Sequence, residues 1–120
     1  MGQIQKTVEY MGRTVNVDLK ITGRLIEMDL GVGPPYVPEG YSTHRIVFID
    51  GFPRRVDIGS SSSDLKTIAN VDAMNLYRFE EGAKLTVGQM EEVVMEGWRA
   101  LLKLKPHLPK ELQHSIIPSL

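Results

Sequence analysis

RRVDIGSSSSD, residues 54–64, is the stretch on which the reading of this chain turns. Upstream of it, apolar residues recur at every second position, the rhythm of strands. Downstream they recur every three or four positions, the rhythm of helices. Strands first and helices later predict an α+β domain, with helices laid against one face of an antiparallel sheet. Serines and an aspartate ahead of Leu65, Ile68 and Ala69 form a helix-start pattern, because their side-chain oxygens accept from the unpaired N–H groups of a first turn. A short helix is therefore expected from Ser62 to Val71.

Upstream, Val15, Val17, Leu19 and Ile21 alternate with Asn16, Asp18, Lys20 and Thr22, which describes a strand with one dry and one wet face. Ile4, Val8 and Tyr10 share a parity just before it, and Met11-Gly12 lies between the two runs, so residues 3–22 read as a β-hairpin. The inward parity then flips to Ile26, Met28 and Leu30. Gly23, at the flip, is either a bulge or, as we prefer, a turn into a third strand. Residues 31–43 hold three prolines and three glycines and form a long loop that displays Tyr36 and Tyr41. Ile46-Val47-Phe48-Ile49 suits a strand covered on both faces, Asp50-Gly51 a turn, and Arg54–Ile58 the returning strand.

Downstream, residues 73–79 fit strand and helix equally well. Thr86–Lys105 is the clearest element: Thr86 and Gln89 match a capping box, and Met90, Val93, Val94, Gly97, Trp98, Leu101 and Leu104 form one apolar stripe. Pro106 ends it, and Pro109–Ser115 has room for one or two more turns. Gly97, beside Trp98 on the stripe, is expected to mark a close approach to another backbone. The expected fold is thus one α+β domain over residues 1–120. An antiparallel sheet of five or six strands in the N-terminal two-thirds (3–58 mainly β) is packed by one long C-terminal amphipathic helix plus one or two short helices (62–120 mainly α).

Composition narrows the function classes. Residues 1–60 carry seven basic and seven acidic side chains and residues 61–120 carry seven and eight, so no bulk field favours nucleic acid or an anionic membrane. Absence of cysteine removes disulfides, thiolate catalysis and cysteine metal sites. No apolar run is long enough to span a bilayer and no signal segment follows Met1, which together predict a cytoplasmic protein.

Three constellations stand out. Arg54 and Arg55 precede Ser60, Ser61, Ser62 and Ser63 at the expected helix start, where unpaired N–H groups, hydroxyls and guanidinium forks would suit a small anion such as a nucleotide phosphate. Helix capping alone also explains these serines, and neither Gly-x-x-x-x-Gly-Lys-Ser/Thr nor Gly-x-Gly-x-x-Gly is present. Tyr36 and Tyr41 offer aromatic anchors for a partner, or pack back over the sheet edge. Ile116, Ile117 and Leu120 make an apolar tail that docks on its own domain or on a second copy, which points to a homo-oligomer. A basic run of Arg99, Lys103, Lys105, His107 and Lys110 complements a helix C-terminus as readily as it would bind a polyanion.

Catalytic machinery is thin. Ser60–Ser63, His44 and Asp50 or Asp57 assemble a triad only on paper, without a Gly-x-Ser-x-Gly elbow. Glu80-Glu81 and Glu91-Glu92 are adjacent carboxylates on exposed positions, and no metal-ligand spacing or cofactor motif occurs. The sequence therefore favours a non-enzymatic binding or interaction module, with a structural assembly subunit of phage or particle type as the alternative and a small enzyme as the second.

Overall fold

Alternation in the N-terminal half produces hairpins because its breaks at residues 11–12, 23 and 50–51 take a positive φ. The computed structural model describes residues 2–32, 43–61, 63–72, 75–79 and 86–115. Strand β1 (Gly2–Tyr10) pairs antiparallel with β2 (Arg13–Thr22), from Gly2 opposite Ile21 to Tyr10 opposite Arg13. Met11 and Gly12 connect them at φ 51° and 80°, the paired left-handed geometry whose twist matches the strands it joins. Gly23, at φ 60°, turns the chain into β3 (Leu25–Leu30), so the parity flip is a turn and not a bulge.

Strand β4 (Thr43–Ile49) returns along β3, and Asp50-Gly51, at φ 54° and 82°, leads into β5 (Phe52–Ser61). Strands β6 (Asp64–Asp72) and β7 (Asn75–Phe79) complete a seven-stranded antiparallel meander in simple sequence order.

Strand β6 replaces the helix expected from Ser62 to Val71, and the strand-to-helix handover moves from residue 60 to the segment before Thr86. A register shift explains the misreading. Val56 opposes Ala69 but Asp57 opposes Thr67, which leaves Ile68 as an extra residue on β6. That bulge puts Ile68 and Ala69 side by side in the core, so Leu65, Ile68 and Ala69 acquire a helix-like i, i+3, i+4 spacing inside a strand. Gly59 confirms the local geometry, since a Cβ there would run into the backbone carbonyl of Asp64 across the hairpin.

Helix α1 (Val87–Lys103) begins as its sequence dictates. The Gln89 N–H donates to Thr86 Oγ1 at 3.0 Å and the Thr86 N–H donates to Gln89 Oε1 at 2.9 Å, closing the capping box. The whole apolar stripe from Met90 to Leu104 is buried. It covers one face of the sheet, on Leu19, Ile21, Ile26, Met28, Ile46, Phe48 and Val56. Gly97 sits at the tightest point, but its close neighbours are the side chains of Ile46 and Met28 and not a backbone. Trp98 lies against Phe52 with ring centres 5.9 Å apart. A short 3-10 turn (Lys105–His107) follows, and helix α2 (Lys110–Ser115) adds Leu112 to the same core, beside Leu108.

Trp98→Ala should cost about 3–5 kcal/mol in chemical denaturation, because the cavity lies under the centre of the stripe. Gly59→Ala, which a helix start would tolerate, should lower stability by about 1–3 kcal/mol through the clash with Asp64. An unchanged denaturation midpoint would contradict the hairpin.

Candidate functional site

With α1 on one face, the opposite face of the sheet carries the polar set of each strand. Its order follows from the register. One row runs Asp18–Asp29–Arg45–Asp57–Thr67 across β2 to β6, and the next runs Lys20–Glu27–Val47–Arg55–Asn70–Arg78 across β2 to β7. Arg45 lies at the centre of the network. Its Nε and Nη2 donate to the two oxygens of Asp29, the latter at 3.0 Å, and its Nη1 donates to Glu27 Oε2 at 3.2 Å. Lys20 Nζ adds a 3.4 Å contact to Asp29. These bonds, led by that to Asp29, hold Arg45 protonated more firmly than usual despite its partial burial. Asp57 is only 4% exposed and accepts from Arg55 Nε at 3.1 and 3.2 Å and from Thr67 Oγ1 at 2.8 Å.

Arg54 and Arg55 come together here for a reason invisible in the sequence. Val47 opposes Arg55 and Phe48 opposes Pro53, so Arg54 is the extra residue of a bulge. A bulge sets two consecutive side chains against one partner residue, and both arginines line a single shallow concavity of about 450 Å³. Leu25, Val47 and Ile49 give it an apolar floor, with Glu27 and Asn70 at its sides. Ile49 is 39% exposed, an unusual apolar position on this face. Arg55 engages Asp57 through Nε, so its two terminal nitrogens lie outside those bonds.

The serines do not belong to this site. Ser60, Ser61 and Ser63 occupy the far end of β5 and the hairpin to β6, about 16 Å of strand from Arg55. Ser60 Oγ donates to Asp64 at 2.7 Å, and the Ser61 and Ser63 hydroxyls are 3.1 Å apart. No helix begins there, so the anion cradle expected from a helix N-terminus at Ser60–Ser63 is withdrawn. Ser62, Tyr36, Tyr41, Ile116, Ile117 and Leu120 lie outside the described residues. In the C-terminal basic run, Arg99 pairs with Glu96 and Lys103 donates to the Glu9 carbonyl.

The paper triad fails on placement. Asp50 pairs with Arg24 at 2.8 Å and Asp57 lies in the polar face, whereas His44 is wholly buried in the core on the helix side. His44 Nδ1 donates to the Val32 carbonyl at 2.8 Å, which leaves Nε2 to accept from the Tyr10 hydroxyl at 3.0 Å. Burial lowers the His44 pKa to about 4, against the Val32 bond that raises it. Burial, reinforced by Glu96, raises that of Tyr10. The pair is therefore neutral and ties β1 and β4 beneath α1. Among the described residues no group of three His, Asp or Glu side chains is placed to hold a metal ion.

Glu27, Val47 and Asn70 were not singled out from the sequence. The wet-face parity of Glu27 was readable on β3, but β4 was expected to be covered on both faces, whereas Ile49 is exposed, and the segment of Asn70 was expected to be a helix. No protein-family model matches this chain, and no curated protein or solved structure matches it.

A neutral buried His44 has a stability signature. The folded pKa, about 4, lies below the ordinary 6.5 of an unfolded histidine, so the contribution is complete above pH 6.5 and is lost as pH falls toward 4. Urea denaturation across that window should show up to about 3 kcal/mol of pH-dependent loss, which His44→Gln should remove. An identical pH slope in the variant would place His44 outside the core.

Proposed function

We propose that this protein is a non-enzymatic binding module for a small anionic ligand, of the size of a nucleotide, held at the concavity of Arg54 and Arg55. One observation carries the reading: the β5 bulge directs two consecutive guanidinium groups to one apolar-floored depression on an otherwise charged face. Guanidinium forks bind phosphate and carboxylate bidentately and cannot be neutralised near pH 7. The floor of Leu25, Val47 and Ile49 offers the hydrophobic contact that a bare inorganic ion would not use. A binder fits better than an enzyme, because no general base or nucleophile among the described residues lines the concavity beside Glu27, and Glu27 is engaged by Arg45. A cytoplasmic setting is part of the proposal.

Thermal denaturation with a panel of mononucleotides tests this directly. A ligand at 100 times its Kd should add about 2.7 kcal/mol of stability to the wild type, and the double variant Arg54→Ala/Arg55→Ala should lose that gain. The stabilisation should shrink between 50 and 500 mM salt, as expected for a screened ion contact. Equal stabilisation of wild type and double variant would move the site elsewhere, and product formation in the panel would replace the binder with an enzyme.

A further inference from the structure

We infer that the concavity binds a mononucleotide end to end, its phosphate at Arg54 and Arg55 and an amino group of its base donating to Glu27. This rests on the anion-binding reading above and adds orientation and base chemistry to it.

Three features of one cross-strand row support the inference. The first is length. Glu27, Val47 and Arg55 are register partners on three successive strands, so at about 4.8 Å per strand the Cα atoms of the acid and the arginine stand about 10 Å apart across Val47. That is comparable with the span of a mononucleotide from phosphate to base edge. The second is polarity. Arg54 and Arg55 mark one end, next to Asn70 in the register, whereas Glu27 marks the other. A ligand anionic at both ends would meet a carboxylate at Glu27, and one cationic at both ends would meet the arginines. The third is the middle, where Val47 and Ile49 line the concavity and Ile49, 39% exposed, offers apolar contact to the face of a ring.

Glu27 is also pre-positioned. Arg45 holds its Oε2 at 3.2 Å while binding Asp29 through the other side of the guanidinium, which fixes the carboxylate without consuming Oε1. An ionised carboxylate only accepts hydrogen bonds. It therefore favours base edges that carry exocyclic amino groups, as carboxylates do when they read the cytosine amino group, and opposes a carbonyl in the same place.

Calorimetric titration with inorganic phosphate, GMP and IMP tests the orientation, since the two nucleotides differ only by the exocyclic amino group. GMP should bind about tenfold more tightly than IMP, the size of one hydrogen bond to a charged acceptor. Glu27→Gln should narrow that gap to about twofold without weakening phosphate. Asn70→Asp, which sets a carboxylate beside Arg55 in the register, should weaken all three probes at least tenfold. The near-ultraviolet band of Trp98 reports whether each variant is folded; should Glu27→Gln disturb the sheet, Glu27→Asp keeps the charge, shortens the reach and should narrow the same gap. Equal binding of GMP and IMP by the wild type, or a gap that persists in both Glu27 variants, would overturn the orientation and leave the anion site standing if phosphate still responds to Asn70→Asp. No binding of any probe would overturn both.

Discussion

One amphipathic helix set against a broad antiparallel sheet is the constraint from which the rest follows. Helix α1 buries the inner set of side chains of the strands, and at Gly97 it comes so close that Ile46 and Met28 fill the space a side chain would need. The stripe from Met90 to Leu104 has no polar position to spare. Each strand is then forced into two chemistries, one for each face, and a shift of register by a single residue would exchange them. The neutral Tyr10–His44 pair meets the same requirement from inside, since two polar side chains survive under the helix only by bonding to each other and to the backbone.

The uncovered face is organised by charge alternation. Asp29 and Asp57, both nearly buried, flank Arg45 in one row, and Arg45 and Arg55 shield them from water. Such pairs contribute less stability than their number suggests, because the attraction mostly offsets desolvation. Their effect is to fix side-chain positions. Glu27 and Arg55 are each held by a neighbour, so two of the polar side chains that line the concavity are fixed in place.

Sequence reading was most successful where local chemistry dominates. The first hairpin, the turn at Asp50-Gly51, the capping box at Thr86 and Gln89 and the full α1 stripe were all legible, because each depends on residues within a few positions of one another. It failed where bulges intervene. Ile68 interrupts the parity of β6 and imitates a helix; Arg54 interrupts that of β5 and makes two arginines neighbours on one face. Bulges are set by strand pairing across the sheet, and no pattern within one strand announces them. The arginines and serines that the sequence sets side by side are consequently parted, the serines being carried by the hairpin to the opposite end of β5.

The order of elements along the chain has a consequence for biosynthesis. Every strand pairs with its sequence neighbour, so contacts within the sheet can form as soon as each hairpin emerges. The cover arrives last. At translation rates of about 5–20 residues per second, the inner face of β1 to β5 waits roughly 2–9 seconds for the residues of α1. During that interval the apolar side chains of Leu19, Met28, Ile46 and Val56, which α1 covers in the finished domain, are without that cover, and a sheet face left open in this way is the kind of surface on which partly folded chains associate.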